Sequence, residues 1–84
     1  MTSSCFACPC CEYLTFEEEP PGTFAVCPVC FWEDDDVQFR DPAYVGGANS
    51  VSLEQARNNF REFGASEDKF RSRVRAPLPT ERPS

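Results

Sequence analysis

Apolar and polar positions alternate over short spans in the first half of the chain and recur at helical spacing once, in the second half. Tyr13-Leu14-Thr15-Phe16 combines aromatic and β-branched residues and predicts a strand that ends at the charged run Glu17-Glu18-Glu19. Pro20-Pro21-Gly22 follows as a turn, with Pro21 and Gly22 suited to the central positions of a type II turn. Thr23-Phe24-Ala25-Val26-Cys27 then reads as the returning strand, so the pattern predicts a hairpin between these two segments. Glu33-Asp34-Asp35-Asp36 breaks the apolar run and reads as a solvated acidic turn, and Val37-Gln38-Phe39 as a third short strand. Asp41-Pro42 opens a loop that Gly46-Gly47-Ala48-Asn49 continues.

The helix is the clearest element. Leu53, Ala56, Phe60 and Phe63 form one apolar stripe, read here as core packing. Ser52 and Gln55 have capping-box spacing, Val51 is placed to staple onto Ala56, and Gly64 is a C-terminal stop. These signals predict a helix over about 52–63. Residues 66–76 fit two periods, because Phe70, Ser72 and Val74 alternate with arginines while Phe70 and Val74 also lie four apart. Pro77, Pro79 and Pro83 predict a disordered tail.

The cysteines change this picture. Cys8-Pro9-Cys10-Cys11 and Cys27-Pro28-Val29-Cys30 are both C-P-x-C, and fifteen residues separate Cys11 from Cys27. A C-x2-C turn lets two thiolates reach one ion, and a hairpin-length spacer brings in a second such turn. Cys8, Cys11, Cys27 and Cys30 are therefore the expected ligands of one Zn2+ per chain; iron also suits four thiolates. Cys10 is a spare thiol inside the first turn, readable as a reactive or alternative ligand or as a small buried residue. Cys5 forms a second C-x2-C with Cys8 and is the other alternative ligand. The fold class that results is a small metal-stabilised α+β domain: a zinc-ribbon-like hairpin, two C-P-x-C knuckles and one packed C-terminal helix. Residues 1–7 are expected to be a flexible lead-in, 8–64 the domain, and 65–84 a basic segment with the proline-rich tail.

Eighty-four residues allow one domain with a marginal core that needs a staple. The first residues carry neither a basic stretch nor an apolar run, and nothing is long enough to span a membrane, so a cytoplasmic location with reduced thiols is expected. That favours metal over a disulfide framework. Residues 1–50 hold nine acids against one base, Arg40, whereas 51–84 hold five acids and seven bases, for a net charge of −6. Such an acidic module argues against nucleic acid, whose phosphates need Lys and Arg; only Lys69, Arg71, Arg73 and Arg75 speak for it. It suits a basic protein partner, as yet unidentified, or the chain's own basic segment; the oligomeric state stays open. The candidate partner surface is Trp32, Asp34, Asp35, Asp36 and Tyr44, with packing roles for Trp32 and Tyr44 as the alternative. The chain has no histidine, and a closed four-cysteine site leaves no open metal position, so no enzyme is expected.

Taken in order, Cys8-Pro9-Cys10-Cys11, Cys27-Pro28-Val29-Cys30-Phe31-Trp32-Glu33-Asp34-Asp35, Gly46-Gly47-Ala48-Asn49, Ser52-Leu53 and Ala56-Arg57-Asn58-Asn59-Phe60 resemble the bacterial cysteine-rich CPCC domain family from about residue 8 to 64. The family often has glycine after the first knuckle, where this chain has Glu12. The resemblance implies a small zinc-ribbon-like protein and no particular reaction. The expected function is a structural zinc site in a protein-interaction or regulatory accessory module. The rival readings are thiol redox or metal handling through Cys10 and Cys5, and, last, nucleic-acid binding.

Overall fold

A computed structural model describes residues 5–83. Two short strands, β1 (Phe6–Ala7) and β2 (Leu14–Phe16), pair antiparallel with Phe6 opposite Phe16 and Ala7 opposite Leu14. The hairpin expected between Tyr13–Phe16 and Thr23–Cys27 does not form. Instead each cysteine turn closes its own small hairpin. In the first, the Cys8 N–H donates to the Tyr13 carbonyl and the Glu12 N–H to that of Cys8, at 2.9 and 2.8 Å. In the second, Cys27 N–H donates to Trp32 and Phe31 N–H to Cys27, at 2.9 and 2.7 Å. Val26 pairs with Glu33 just beyond. The physical reason is local: the bond spanning each turn forces its two arms to run antiparallel, so the residues after a turn pair with those immediately before it. Phe6 and Ala7, expected in a flexible lead-in, are thereby drawn into a strand; residues 1–4 lie outside those described.

The acidic run is also not a solvated turn, and Val37–Phe39 is not a strand. Asp35 caps a short helix, α1 (Asp36–Arg40), its Oδ1 accepting the Gln38 N–H at 3.0 Å. Asp36 and Arg40, four apart at 2.9 Å, put an acid in the first turn and a base in the last, as the helix dipole favours. The other Asp35 oxygen accepts the Ala48 N–H at 2.9 Å. That bond, then those from Gln38 and Val37, holds the Asp35 carboxyl below the usual carboxylate range.

Gln38 is fully buried and ties the 41–51 loop to α1. Its amide nitrogen donates to the carbonyls of Tyr44, Asn49 and Val51, while its oxygen accepts from the Asn49 backbone and side chain. Asn49 in turn bonds both backbone groups of Glu33, at 2.9 and 2.8 Å. Gly47 lies so close that a Cβ there would meet Asp35 Oδ2 at 2.7 Å and Gln38 Cδ at 2.8 Å.

The main helix, α2 (Leu53–Phe63), starts at Ser52, whose Oγ accepts the Gln55 N–H at 3.1 Å. It ends at Gly64 in the left-handed region, φ 83°. Leu53 and Ala56 are fully buried and Phe60 packs partly onto the core, whose centre is the cysteines with Phe16, Val29 and Trp32. No helix among the described residues is long and apolar enough to cross a membrane.

The segment before the proline-rich tail packs on the domain. Ala65, Ser66 and Glu67 are buried, and Phe70 lies against Phe31 with ring centroids 4.6 Å apart. Residues 68–70 and 79–81 form single 3-10 turns, so neither period read over 66–76 applies. Arg75 makes a two-bond fork to Glu81 at 2.9 and 2.8 Å, and the Glu81 carboxylate also caps Leu78. The radius of gyration, 11.9 Å, equals the roughly 12 Å expected of a compact chain this long.

Candidate metal centre

The two cysteine turns face each other and bring Cys8, Cys11, Cys27 and Cys30 together, all four sulfurs within 4.8 Å of one another. Cys8 and Cys30 Sγ lie 3.6 Å apart, Cys11 and Cys27 Sγ 3.7 Å. A disulfide would need about 2.05 Å. Four sulfurs about 2.3 Å from a tetrahedral centre sit roughly 3.8 Å from each other, so the observed spacing fits a four-thiolate metal ion. Three of the four are fully buried and Cys11 is half-buried.

The proton chemistry points the same way. The Cys27 thiol is driven far below its ordinary value because it accepts hydrogen bonds from Cys11 first, then Cys30 and Cys8, with Thr15 assisting. Cys11 is pushed far up by the bond it gives Cys27. Cys30 is pushed up by Cys10 first, then by the other three cysteines and burial. Thiolates this close repel one another, so each added negative charge is harder to place. A dication offsets that repulsion and releases the remaining protons.

The fold grips both turns from outside. The Cys10 N–H points at Cys8 Sγ and the Val29 N–H at Cys27 Sγ, both at 3.4 Å. The Thr15 hydroxyl lies 3.1 Å from Cys27 Sγ and donates to it once the sulfur is ionised. Three backbone carbonyls are tied down: Pro9 by the Arg57 side chain at 2.9 Å, Cys30 by the Ser66 N–H at 2.7 Å, and Pro28 by the Arg75 N–H at 3.1 Å. Such partners orient ligands and tune their basicity. Glu12 and Phe31, the residues following each turn, are both left-handed at φ 72°. That is the conformation glycine adopts most easily.

Of the other residues singled out in the sequence, Cys10 is buried, 5% exposed, with its sulfur close enough to raise Cys30. Cys5 is exposed and outside the four-sulfur cluster. Trp32, Asp34 and Asp35 are buried, which corrects their place in an exposed partner surface. Trp32 packs in the cysteine core, and Asp34 Oδ2 accepts the backbone N–H and hydroxyl of Thr23 at 2.9 and 2.8 Å. Only Asp36, half-buried, and Tyr44 remain accessible.

The sequence reading gave none of Thr15, Arg57, Ser66 and Arg75 a place beside the cysteine turns. Arg57 had a signal: it lies four residues after Leu53, on the border of the apolar stripe facing the core. Ser66 and Arg75 act through main-chain atoms, which no side-chain pattern marks.

A family model described as cysteine-rich CPCC matches residues 6–81. The match takes in the C-terminal segment that packs on the second turn. No curated protein matches the chain.

Proposed function

This chain belongs to the cysteine-rich CPCC family, and from that premise we propose that it is a non-catalytic, zinc-ribbon-like module. In this reading Cys8, Cys11, Cys27 and Cys30 hold one structural Zn2+ between two C-P-x-C knuckles, and the folded surface serves protein–protein interaction in a regulatory or accessory role. The observation that carries it is the four-sulfur cluster at metal-ligand spacing, inside the core and braced by Thr15, Arg57, Ser66 and Arg75. The ion would supply folding free energy, and the residues around it hold the sulfurs in place and keep three of them from water.

The test compares three variants. Cys30→Ser is expected to lose metal and fold, Cys5→Ser to behave as wild type, and Cys10→Ser to keep both. A partner captured by wild type and Cys10→Ser but not by Cys30→Ser supports an interaction module; a cellular role that persists in the unfolded Cys30→Ser chain contradicts it.

One observation favours a second reading, thiol-based metal handling. Cys10 and the half-buried Cys11 line the same open groove beside Arg57 and Arg61. This reading predicts that Cys10→Ser changes the rate of metal exchange with a chelator while leaving the fold intact.

A further inference from the structure

Where the sequence pattern predicts a paired hairpin, the structure holds an open groove. No backbone hydrogen bond joins residues 14–18 to residues 23–26 among the described residues. Between them lies a cavity of about 320 Å³, walled by residues 15–18 on one side and by Thr23, Ala25 and Val26 on the other. That volume is at the lower limit of small-molecule pockets and has room for one or two side chains.

The groove has a definite chemistry. Phe16 and the 44%-exposed Val26 give it an apolar lining, and Glu17 and Glu18 give it two carboxylates. Neither carboxylate has a cation partner among the described residues. The ion pairs among the described residues are Asp36–Arg40, Glu67–Lys69, Asp68–Arg71 and Glu81–Arg75. No basic residue lines the groove.

Beside it stands Phe24, 59% exposed and left-handed at φ 59°. A bulky residue in that region is strained, and here the cause is visible. Buried Asp34 clamps the Thr23 backbone and hydroxyl, and the Phe24 N–H donates to the Asp34 carbonyl at 3.0 Å. A fully buried carboxylate thus fixes the backbone of the segment that carries this exposed aromatic residue, which adjoins the lining residues Thr23 and Ala25 without itself lining the groove.

We propose that this groove, between β2 and residues 23–26, receives a basic side chain, arginine or lysine, from an extended segment of a protein partner. The inference rests on the interaction reading above and gives that reading its surface. The aliphatic stem would lie on Val26, the charge at Glu17 and Glu18, and a guanidinium over the Phe24 ring. The net charge of −6 draws such a partner in.

The test titrates metal-loaded, nitrogen-15-labelled protein with acetyl-Leu-Arg-Leu-Arg-amide at low ionic strength, with acetyl-Leu-Glu-Leu-Glu-amide as the control. The arginine peptide is expected to shift amide resonances of residues 15–18 and 23–26, and the glutamate peptide to leave them unmoved. Glu17→Gln/Glu18→Gln and Phe24→Ala should each weaken binding about threefold or more. Glu54→Gln, an exposed acid on α2, should not. Shifts centred elsewhere, or equal weakening by Glu54→Gln, overturn the groove and leave the interaction reading standing. No shift at millimolar peptide overturns the groove outright, and the capture experiment then decides the broader reading separately.

Discussion

Glu12 and Phe31 share one backbone conformation and differ in what their side chains do. Each follows a cysteine turn at φ 72°. Glu12 is exposed, whereas the Phe31 ring packs on Phe70. The left-handed region costs an L-residue about 1–2 kcal/mol, part of which glycine gives back through the freedom of its unfolded chain. Glu12→Gly is therefore expected to stabilise the metal-loaded protein by up to about 1 kcal/mol. Phe31→Gly gains the same backbone relief but loses a half-buried aromatic contact with Phe70, and should destabilise by about 1–3 kcal/mol. Urea midpoints with an unchanged slope check both. Shifts of the same sign would show that backbone strain does not govern these positions. The two-residue-type pattern C-P-x-C announced the turns in the sequence; the matching conformation after them did not show, because Glu and Phe are not residues that advertise a positive φ.

Among the elements, legibility followed length and self-sufficiency. The long helix α2 carries its own start, stripe and stop, so Ser52, Leu53, Ala56 and Gly64 were readable without the rest of the molecule. The five-residue α1 is too short to show a period, and two of its apolar residues, Val37 and Phe39, face solvent. Its existence depends on Asp35 and Gln38, whose partners Ala48, Asn49 and Val51 arrive from the following loop. The cysteine pairs were legible as one four-sulfur cluster for the same reason α2 was: the spacing holds the whole instruction. The hairpin was misread because β propensity says which residues extend and nothing about which edge they pair with. At this scale, Gln38→Leu removes the donor to three carbonyls and the acceptor for Asn49. It is expected to cost about 2–4 kcal/mol and to release the 41–51 loop. Hydrogen exchange should rise at Ala48 and Asn49 while α2 stays protected. Uniform loss of protection would contradict the local role.

The whole molecule is organised around its sulfurs. Cys8, Cys27 and Cys30 lie at the centre of the core, and α2, the second turn and the C-terminal segment all meet there. A chain of this size has little other apolar surface to bury. In the proposed reading, the balance of protons and metal at the four thiols sets global stability. Metal binding needs all four deprotonated, so acidification favours protonated thiols and releases the ion, and stability should fall as pH is lowered. A chelator at neutral pH should do the same without acid, collapsing the near-ultraviolet signal of buried Trp32. An apoprotein that keeps that signal would show that packing alone holds the fold.

The most direct measurement is native mass spectrometry of protein purified without chelator, with thiols counted by alkylation before and after denaturation. One divalent metal ion per chain is expected. Cys5 should react at once, Cys10 slowly from its buried position, and all six cysteines after chelation and unfolding. A metal-free chain with thiols lost to disulfides would contradict the four-thiolate centre on which the account rests.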